Sequence, residues 1–205
     1  MGLSAAQIVS GLDEVAKREP AIARALAVAG YPEPRIRETG YKTMLRTIVG
    51  QQVSVAAASS MWNKLEAELG AQFGPADLLD RDFDTLRACG LSRQKQGYAR
   101  SLCELVSSGE VDFANLPADD EEAIAELTRI KGIGRWSAEI YLLFAEGRPD
   151  IWPAGDLAVM AGIGKILGLP ERPDEKATRA LAEPWRPYRG ATAIFTWHCY
   201  NNPAL

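Results

Sequence analysis

The chain has 205 residues, of which 47% are hydrophobic and 24% are charged, so it can bury a core as one domain or two small lobes. No segment approaches the roughly 18 consecutive apolar residues of a membrane span, and the N-terminus lacks the pattern of a secretory signal. The three widely spaced cysteines indicate reduced thiols in a cytosol rather than a disulfide framework. A net charge of −4 and a pI of about 5.2 weigh against nucleic acid as a partner without excluding it, because backbone amides also bind phosphate.

Helical periodicity recurs along the chain and strand alternation is almost absent, which predicts an all-α fold. In the first part of the chain the predicted elements are a helix capped by Ser4, a helix from Pro20 to Gly30, an extended linker at 31–34, a helix from Tyr41 interrupted at Gly50, and a helix from Ser54 to about Leu69. In the second part they are helices at 82–89 and 92–106, one opened by Asp119, one beginning near Asp156, and a last helix at 188–199.

Residues 127–138 form the most informative segment, because two glycines there enclose one aliphatic residue between two predicted helices. Glycine permits a tight turn and a close approach of the backbone, so the amides of Gly132, Gly134 and the next residues can bind an anion at a helix N-terminus. We expect Ile133 to enter the core. Positive charge around the turn comes from Arg129, Lys131 and Arg135.

The Gly-Ile-Gly tripeptide alone leaves two interpretations open, a phosphate-binding turn and a helix–helix corner that requires glycine. The same tripeptide recurs at 162–164 inside a predicted helix. There we expect the glycines only to allow close packing. The choice between these two interpretations therefore has to come from the residues that follow the hairpin in the chain.

Residues 127–138 resemble the helix-hairpin-helix of DNA-binding enzymes, and their continuation to 152–159 resembles the hairpin-plus-Gly/Pro–Asp superfamily of DNA glycosylases. The resemblance places Asp156 at the position of the family's catalytic aspartate. An aspartate after Pro-x-Gly is also a good N-cap, and the two roles can coexist. The resemblance further implies that the hairpin amides bind a DNA phosphate. It implies no required cofactor, but a structural Na⁺ or K⁺ on the backbone carbonyls of Thr128, Ile130 and Ile133.

One carboxylate suffices for the implied reaction. Breaking an N-glycosidic bond develops positive charge at the sugar C1′, which a fixed carboxylate stabilises. A base alkylated on a ring nitrogen is already cationic and leaves without a strong general acid. Where lyase members of the superfamily carry a Schiff-base lysine, this chain has Trp136, so the resemblance implies a monofunctional enzyme. The single Cys199 near the C-terminus excludes the iron–sulfur branch.

Residues 185–197 resemble the C-terminal motif of the 3-methyladenine DNA glycosylase II branch, which places aromatic residues at the positions of Trp136 and Trp197 around the aspartate. These two tryptophans are expected to contact an everted, cationic base, with core packing as the alternative. Ile140 shares the helix face of Trp136. His198, the single histidine, is expected to line the pocket at most.

Residues 50–54 resemble the minor-groove loop of the same branch. Gln52, with Gln51 beside it, is expected to fill the gap that an everted nucleotide leaves in the duplex. Related enzymes often use an apolar side chain at such a place, so glutamine is a departure. The alternative is an ordinary polar turn between helices.

These observations predict an all-α, two-lobed protein of the helix-hairpin-helix DNA glycosylase type, with one lobe at 40–148, the other at 1–39 and 149–205, and an active-site cleft between them. The expected activity is hydrolysis of the N-glycosidic bond of alkylated purines such as 3-methyladenine and 7-methylguanine in base excision repair. The expected partner is double-stranded DNA with damaged bases, bound by a monomer in the cytoplasm, at the nucleoid if the organism is bacterial, with no membrane partner. The alternatives are a non-catalytic helix-hairpin-helix DNA-binding module, a glycosylase for deaminated or oxidised bases, and a helical protein-interaction domain, which only the low pI favours.

Overall fold

The computed structural model describes residues 2–200 and 202, and within these residues the chain is all-α with no strand, as predicted. The helices in chain order are α1 Ala5–Ala16, α2 Pro20–Ala29, α3 Tyr41–Gly50, α4 Val55–Leu69, α5 Pro75–Leu79, α6 Phe83–Ala88, α7 Arg93–Ser107, α8 Asp120–Leu127, α9 Arg135–Tyr141, α10 Leu157–Leu167, α11 Glu175–Leu181 and α12 Arg189–Tyr200. A π-helix at Leu142–Glu146 continues α9, and a 3₁₀ helix at Glu183–Trp185 precedes α12. None of the helices in these residues has the length and apolar character needed to cross a membrane.

The predicted helix starts are confirmed by capping geometry. The side chains of Ser4, Ser54 and Asp82 accept hydrogen bonds from amides in the first turns of α1, α4 and α6. Pro20 opens α2, whose last turn ends at Gly30 in a left-handed φ of 69°. The short helices α5 and α11 and the 3₁₀ helix were not predicted, although Pro75 opens α5 and Asp174 caps α11.

The chain divides into two compact units. The first unit comprises the described residues of Met1–Arg37 and Glu139–Leu205, and the second unit comprises Glu38–Ala138. The division falls inside α9, before the boundary at 148 that the sequence suggested. The physical reason is burial, since the π-helix residue Phe144 stacks on Trp197 of the first unit, and the amide of Arg37 donates to its carbonyl.

The first unit is built around α12, which packs against α1 and α10. Close approach of α10 to α12 requires Gly162, since a Cβ there would lie 2.8 Å from Cγ2 of Thr196. A Cβ on Gly164 would similarly lie 3.0 Å from Cδ of Pro173. The second Gly-Ile-Gly is therefore a packing feature of a helix, as expected.

The second unit packs α3, α4 and α7 around a buried apolar core, to which α3 contributes Leu45 and Ile48, α4 contributes Leu65 and α7 contributes Leu102. Helix α8 ends at Leu127, and residues 128–134 turn the chain into α9. The helix-hairpin-helix therefore belongs to the second unit up to the start of α9, whereas Asp156 lies in the first.

Candidate active site

Asp156 is the N-cap of α10. Its Oδ1 accepts hydrogen bonds from the amides of Ala158 and Val159 at 2.9 and 3.0 Å. The preceding loop is closed by a bond from the amide of Asp156 to the carbonyl of Pro153 at 3.0 Å. The cap satisfies two amides that the helix leaves without intrahelical partners, and it fixes the carboxylate at the start of the helix. Asp156 therefore has the capping role that the sequence offered as an alternative. The cap also orients the carboxylate that the resemblance implies to be catalytic.

A third donor reaches the same oxygen from another helix. Nε1 of Trp197, in the second half of α12, donates to Oδ1 of Asp156 at 3.0 Å. Trp197 is only 8% exposed and Asp156 is half-buried, so this bond is partly shielded from water. The structure thus brings together two residues 41 positions apart that the sequence assigned to one site.

The ring of Trp197 packs against Phe144. The two ring centroids are 5.4 Å apart with an interplanar angle of 34°. Phe144 lies in the π-helix Leu142–Glu146, and such wide turns recur at functional sites because they shift one side chain out of helical register. The guanidinium of Arg37 lies over the Phe144 ring, 5.8 Å from its centroid. Sequence reasoning placed Phe144 on the same helix face as Trp136 and Ile140, but it did not connect Arg37 with Asp156.

A buried ion-pair network positions the start of α12. Arg189, 7% exposed, binds Asp150 with two hydrogen bonds of 2.8 Å. The amide of Gly190 donates to the carbonyl of Pro149 at 2.8 Å. Because Asp150 opens the loop that leads to Asp156, the network fixes the loop and the helix bearing Trp197 to each other. The arginines of 185–189 were the available sequence signal, but their partner could not be identified without the fold.

The hairpin has the turn that its glycines predicted. The amide of Ile133 donates to the carbonyl of Ile130 at 3.0 Å, and Gly132 between them has a φ of 80°. Ile133 is buried, as expected. The turn uses the Ile133 amide internally, whereas the amides of Gly132 and Gly134 have no hydrogen-bond partner among the described residues. Those two glycine amides are the ones left to bind a phosphate.

The charge around the hairpin is less than the sequence suggested. Arg129 forms an ion pair with Glu110, and Arg135 pairs with both oxygens of Glu121. Lys131 is exposed and has no carboxylate partner within the part of the chain that the structure describes. Of the three predicted cations, Lys131 is therefore the one whose charge no described carboxylate compensates.

The loop between α3 and α4 is joined to the hairpin. Nε2 of Gln51 donates to the carbonyl of Gly132 at 2.9 Å, and Nζ of Lys95 donates to the carbonyl of Val49 at 2.6 Å. Burial lowers the pKa of Lys95. Gln52 is exposed and has a φ of 55°, a left-handed conformation that costs about 1 kcal/mol or more in a residue other than glycine. The two predicted DNA-contacting elements therefore form one connected surface, with Gln52 at its tip and Gln51 as the link.

The other predicted pocket residues differ in exposure and direction. Trp136 in α9 is 46% exposed, which is unusual for tryptophan, whereas Ile140 is buried at 7%. The ring of His198 is used elsewhere, since its Nε2 lies 2.9 Å from the carbonyl of Ala29 at the end of α2. The structure therefore connects Trp197 with the carboxylate and does not connect His198 with it.

Two of the three hairpin carbonyls named for a cation are not used as hydrogen-bond acceptors by the described residues. Those of Thr128 and Ile133 accept no hydrogen bond from the described residues, and that of Ile130 accepts one and retains a second lone pair. Three neutral oxygens fit a monovalent ion better than a divalent one. No cluster of three or more His, Cys, Asp or Glu side chains suited to a metal is found in the described residues.

Comparisons with known proteins agree with this geometry. The sequence model of the HhH-GPD superfamily base excision DNA repair proteins matches residues 45–187. DNA-3-methyladenine glycosylase 1 of Schizosaccharomyces pombe is 34% identical over 195 residues, which cover 92% of this chain and 83% of that protein.

Solved structures show the same fold. A DNA-3-methyladenine glycosidase from Bacillus halodurans superposes with a TM-score of 0.86 and 29% identity, covering 95% of this chain and 89% of that one. A 3-methyladenine DNA glycosylase of S. pombe in complex with abasic DNA superposes with a TM-score of 0.78 and 30% identity, covering 92% and 95%.

The fold and the site define an all-α, helix-hairpin-helix protein with a capped carboxylate beyond the hairpin. The chain belongs to the HhH-GPD superfamily of base excision DNA repair proteins, since the family match extends over most of its length.

Proposed function

We propose that this protein is a monofunctional DNA glycosylase that hydrolyses the N-glycosidic bond of alkylated purines in duplex DNA. The observation that carries the proposal is the carboxylate of Asp156, fixed by three N–H donors on one oxygen, one of them Nε1 of Trp197. The names of its relatives in S. pombe and B. halodurans, 3-methyladenine glycosylases, support the same substrate class.

In the proposed reaction the hairpin binds the DNA backbone and the carboxylate acts on the sugar. The amides of Gly132 and Gly134 donate to a phosphate oxygen, and Lys131 adds positive charge. Gln52, at the tip of its loop, occupies the space left by the everted nucleotide. Asp156 then stabilises the positive charge that develops at C1′ and orients the attacking water.

The proposal requires no general acid, since an alkylated purine carries the positive charge that makes it a good leaving group. This agrees with the placement of His198, which is bound to a backbone carbonyl of α2. Trp136 and Trp197 are the aromatic residues that we propose to contact the cationic base, since ring faces attract cations. Trp136 also occupies the position of the lysine of lyase members, so strand cleavage is not expected.

Three further features complete the proposal. The carbonyls of Thr128, Ile130 and Ile133 would hold Na⁺ or K⁺, which supplies positive charge beside the phosphate-binding amides. No other cofactor is required. The protein acts as a monomer where chromosomal DNA is located, in the cytoplasm and at the nucleoid if the organism is bacterial.

The test is to incubate the protein with methylated duplex DNA and to identify the released bases by chromatography. We expect free 3-methyladenine or 7-methylguanine, with the DNA strand intact until alkali cleaves the abasic site. Binding without release would indicate the non-catalytic module. Release of hypoxanthine or oxidised guanine without any methylated purine would indicate the other glycosylase class.

A further inference from the structure

Arg37 lies in the linker between α2 and α3 and is held beside Phe144 by two contacts. Its amide donates to the carbonyl of Phe144 at 2.8 Å, and its guanidinium lies 5.8 Å from the centroid of the Phe144 ring. The first contact positions the backbone, and the second favours a side-chain direction over the ring by about 0.5–1 kcal/mol. A guanidinium stacked on a ring in this way keeps the N–H groups at its edge available.

Arg37 forms no ion pair with a carboxylate among the described residues. Arg37 is exposed, and no carboxylate lies within ion-pair distance of it among residues 2–200 and 202. Other arginines of the same unit are paired, such as Arg179 with Glu139 and Arg189 with Asp150. An exposed guanidinium held in one direction without an acidic partner is well suited to an anion from outside the chain.

The stack leads directly from Arg37 to the carboxylate. Phe144 lies on Trp197, with centroids 5.4 Å apart, and Trp197 donates to Asp156 at 3.0 Å. Asp156 must lie at the C1′ carbon of the everted nucleotide, and the phosphates on either side of that nucleotide are less than one nucleotide length away. Two ring contacts and one hydrogen bond therefore join the guanidinium to the carboxylate within the first unit, which makes a phosphate of the same strand the anion to consider first.

We infer that Arg37 binds a backbone phosphate of the strand that carries the damaged nucleotide, next to the everted sugar. This inference rests on the proposed function. It adds to the hairpin a second phosphate contact, supplied by the linker that precedes α3. Arginine suits the contact because its planar guanidinium stacks on Phe144 and donates two parallel hydrogen bonds to phosphate oxygens.

The experiment measures the affinity of the full chain for a duplex with a tetrahydrofuran abasic-site analogue at several NaCl concentrations. Arg37→Ala is compared with Arg37→Lys and with Arg35→Ala, a control that removes an exposed arginine of the same linker. We expect Arg37→Ala to weaken binding about tenfold and to reduce the slope of log K against log salt by about 0.9, the value for one phosphate contact. Arg37→Lys keeps the slope, and Arg35→Ala changes neither quantity.

An unchanged salt slope for Arg37→Ala overturns the inference, whether or not base release slows, because a residue that only supports Phe144 would alter the rate and not the slope. An equal loss of slope for Arg35→Ala also overturns it, since the effect would then be one of general charge. Release of methylated purine by the wild-type chain is measured in parallel. If that release fails, the proposed function fails; if it succeeds and the slope is unchanged, the inference about Arg37 alone fails.

Discussion

Replacing Trp197 with phenylalanine tests the bond between α12 and the carboxylate most selectively. Phenylalanine retains an aromatic ring against Phe144 and removes the Nε1 donor, which lies 3.0 Å from Oδ1 of Asp156. A hydrogen bond to a charged group contributes about 1.5–3 kcal/mol, equivalent to roughly 10- to 100-fold in a rate. Asp156 retains its two backbone donors, so we expect a loss near the lower limit, about tenfold.

The assay is single-turnover release of 7-methylguanine from a defined duplex, with affinity for the abasic analogue measured separately. The rate should fall about tenfold, whereas affinity should change less than about threefold, because Asp156 acts on the transition state rather than on DNA binding. Trp62→Phe is the matched control, since Trp62 is a buried tryptophan of the second unit whose Nε1 has no partner in the described residues. An unchanged rate for Trp197→Phe, or an equal loss for Trp62→Phe, would refute the reasoning.

Four further substitutions separate folding from DNA recognition. Gly132→Ala should destabilise the chain by about 3 kcal/mol in urea denaturation, because a Cβ would lie 2.2 Å from the ring of Tyr98 at a φ of 80°. Gly134→Ala should leave stability within about 0.5 kcal/mol, since a Cβ there meets nothing within 4 Å, but weaken DNA binding several-fold in fluorescence anisotropy by blocking close approach to the backbone. Gln52→Ala should weaken binding to lesion DNA more than to undamaged duplex, and equal losses in a competition titration would count against its proposed place in the duplex. Arg189→Gln should cost about 2 kcal/mol in thermal denaturation, because Asp150, whose side chain is 14% exposed, loses its two 2.8 Å bonds from Arg189 and keeps the bond from Arg186; a loss below about 1 kcal/mol would show that the network is not structural.

The helices that could be predicted from the sequence are those whose ends carry their own chemistry. Ser54 caps α4, and Gly70 ends it with a φ of 88°, so periodicity and end signals agreed. Helix α11 was not predicted although Asp174 caps it, and its position depends on tertiary contacts such as the bond from Nε1 of Trp152 to the carbonyl of Thr178. The π-helix was not predictable either, since no local residue pattern distinguishes it from a continued α-helix.

The parts of the site that could be predicted are those marked by a local sequence pattern. Asp156 comes after a Gly/Pro loop, which is typical of an N-cap, and the hairpin glycines indicate a turn whatever its function. Long-range pairs could not be foreseen from one sequence. Arg129 and Arg135, both expected to face DNA, are neutralised by ion pairs with Glu110 and Glu121. These pairs could not be predicted because the partners lie 19 and 14 positions away in the chain. The stack of Arg37 on Phe144 depends in the same way on the fold.

The central claim is that the charge of Asp156, and not merely its place at the start of α10, drives base release. Asp156→Asn tests this directly, because asparagine caps helices as well as aspartate does and can still accept the bonds from Ala158, Val159 and Trp197. In single-turnover release of 7-methylguanine we expect a loss of at least about 100-fold, with affinity for the abasic duplex largely intact. Near-normal release by this variant would show that the carboxylate is only a helix cap.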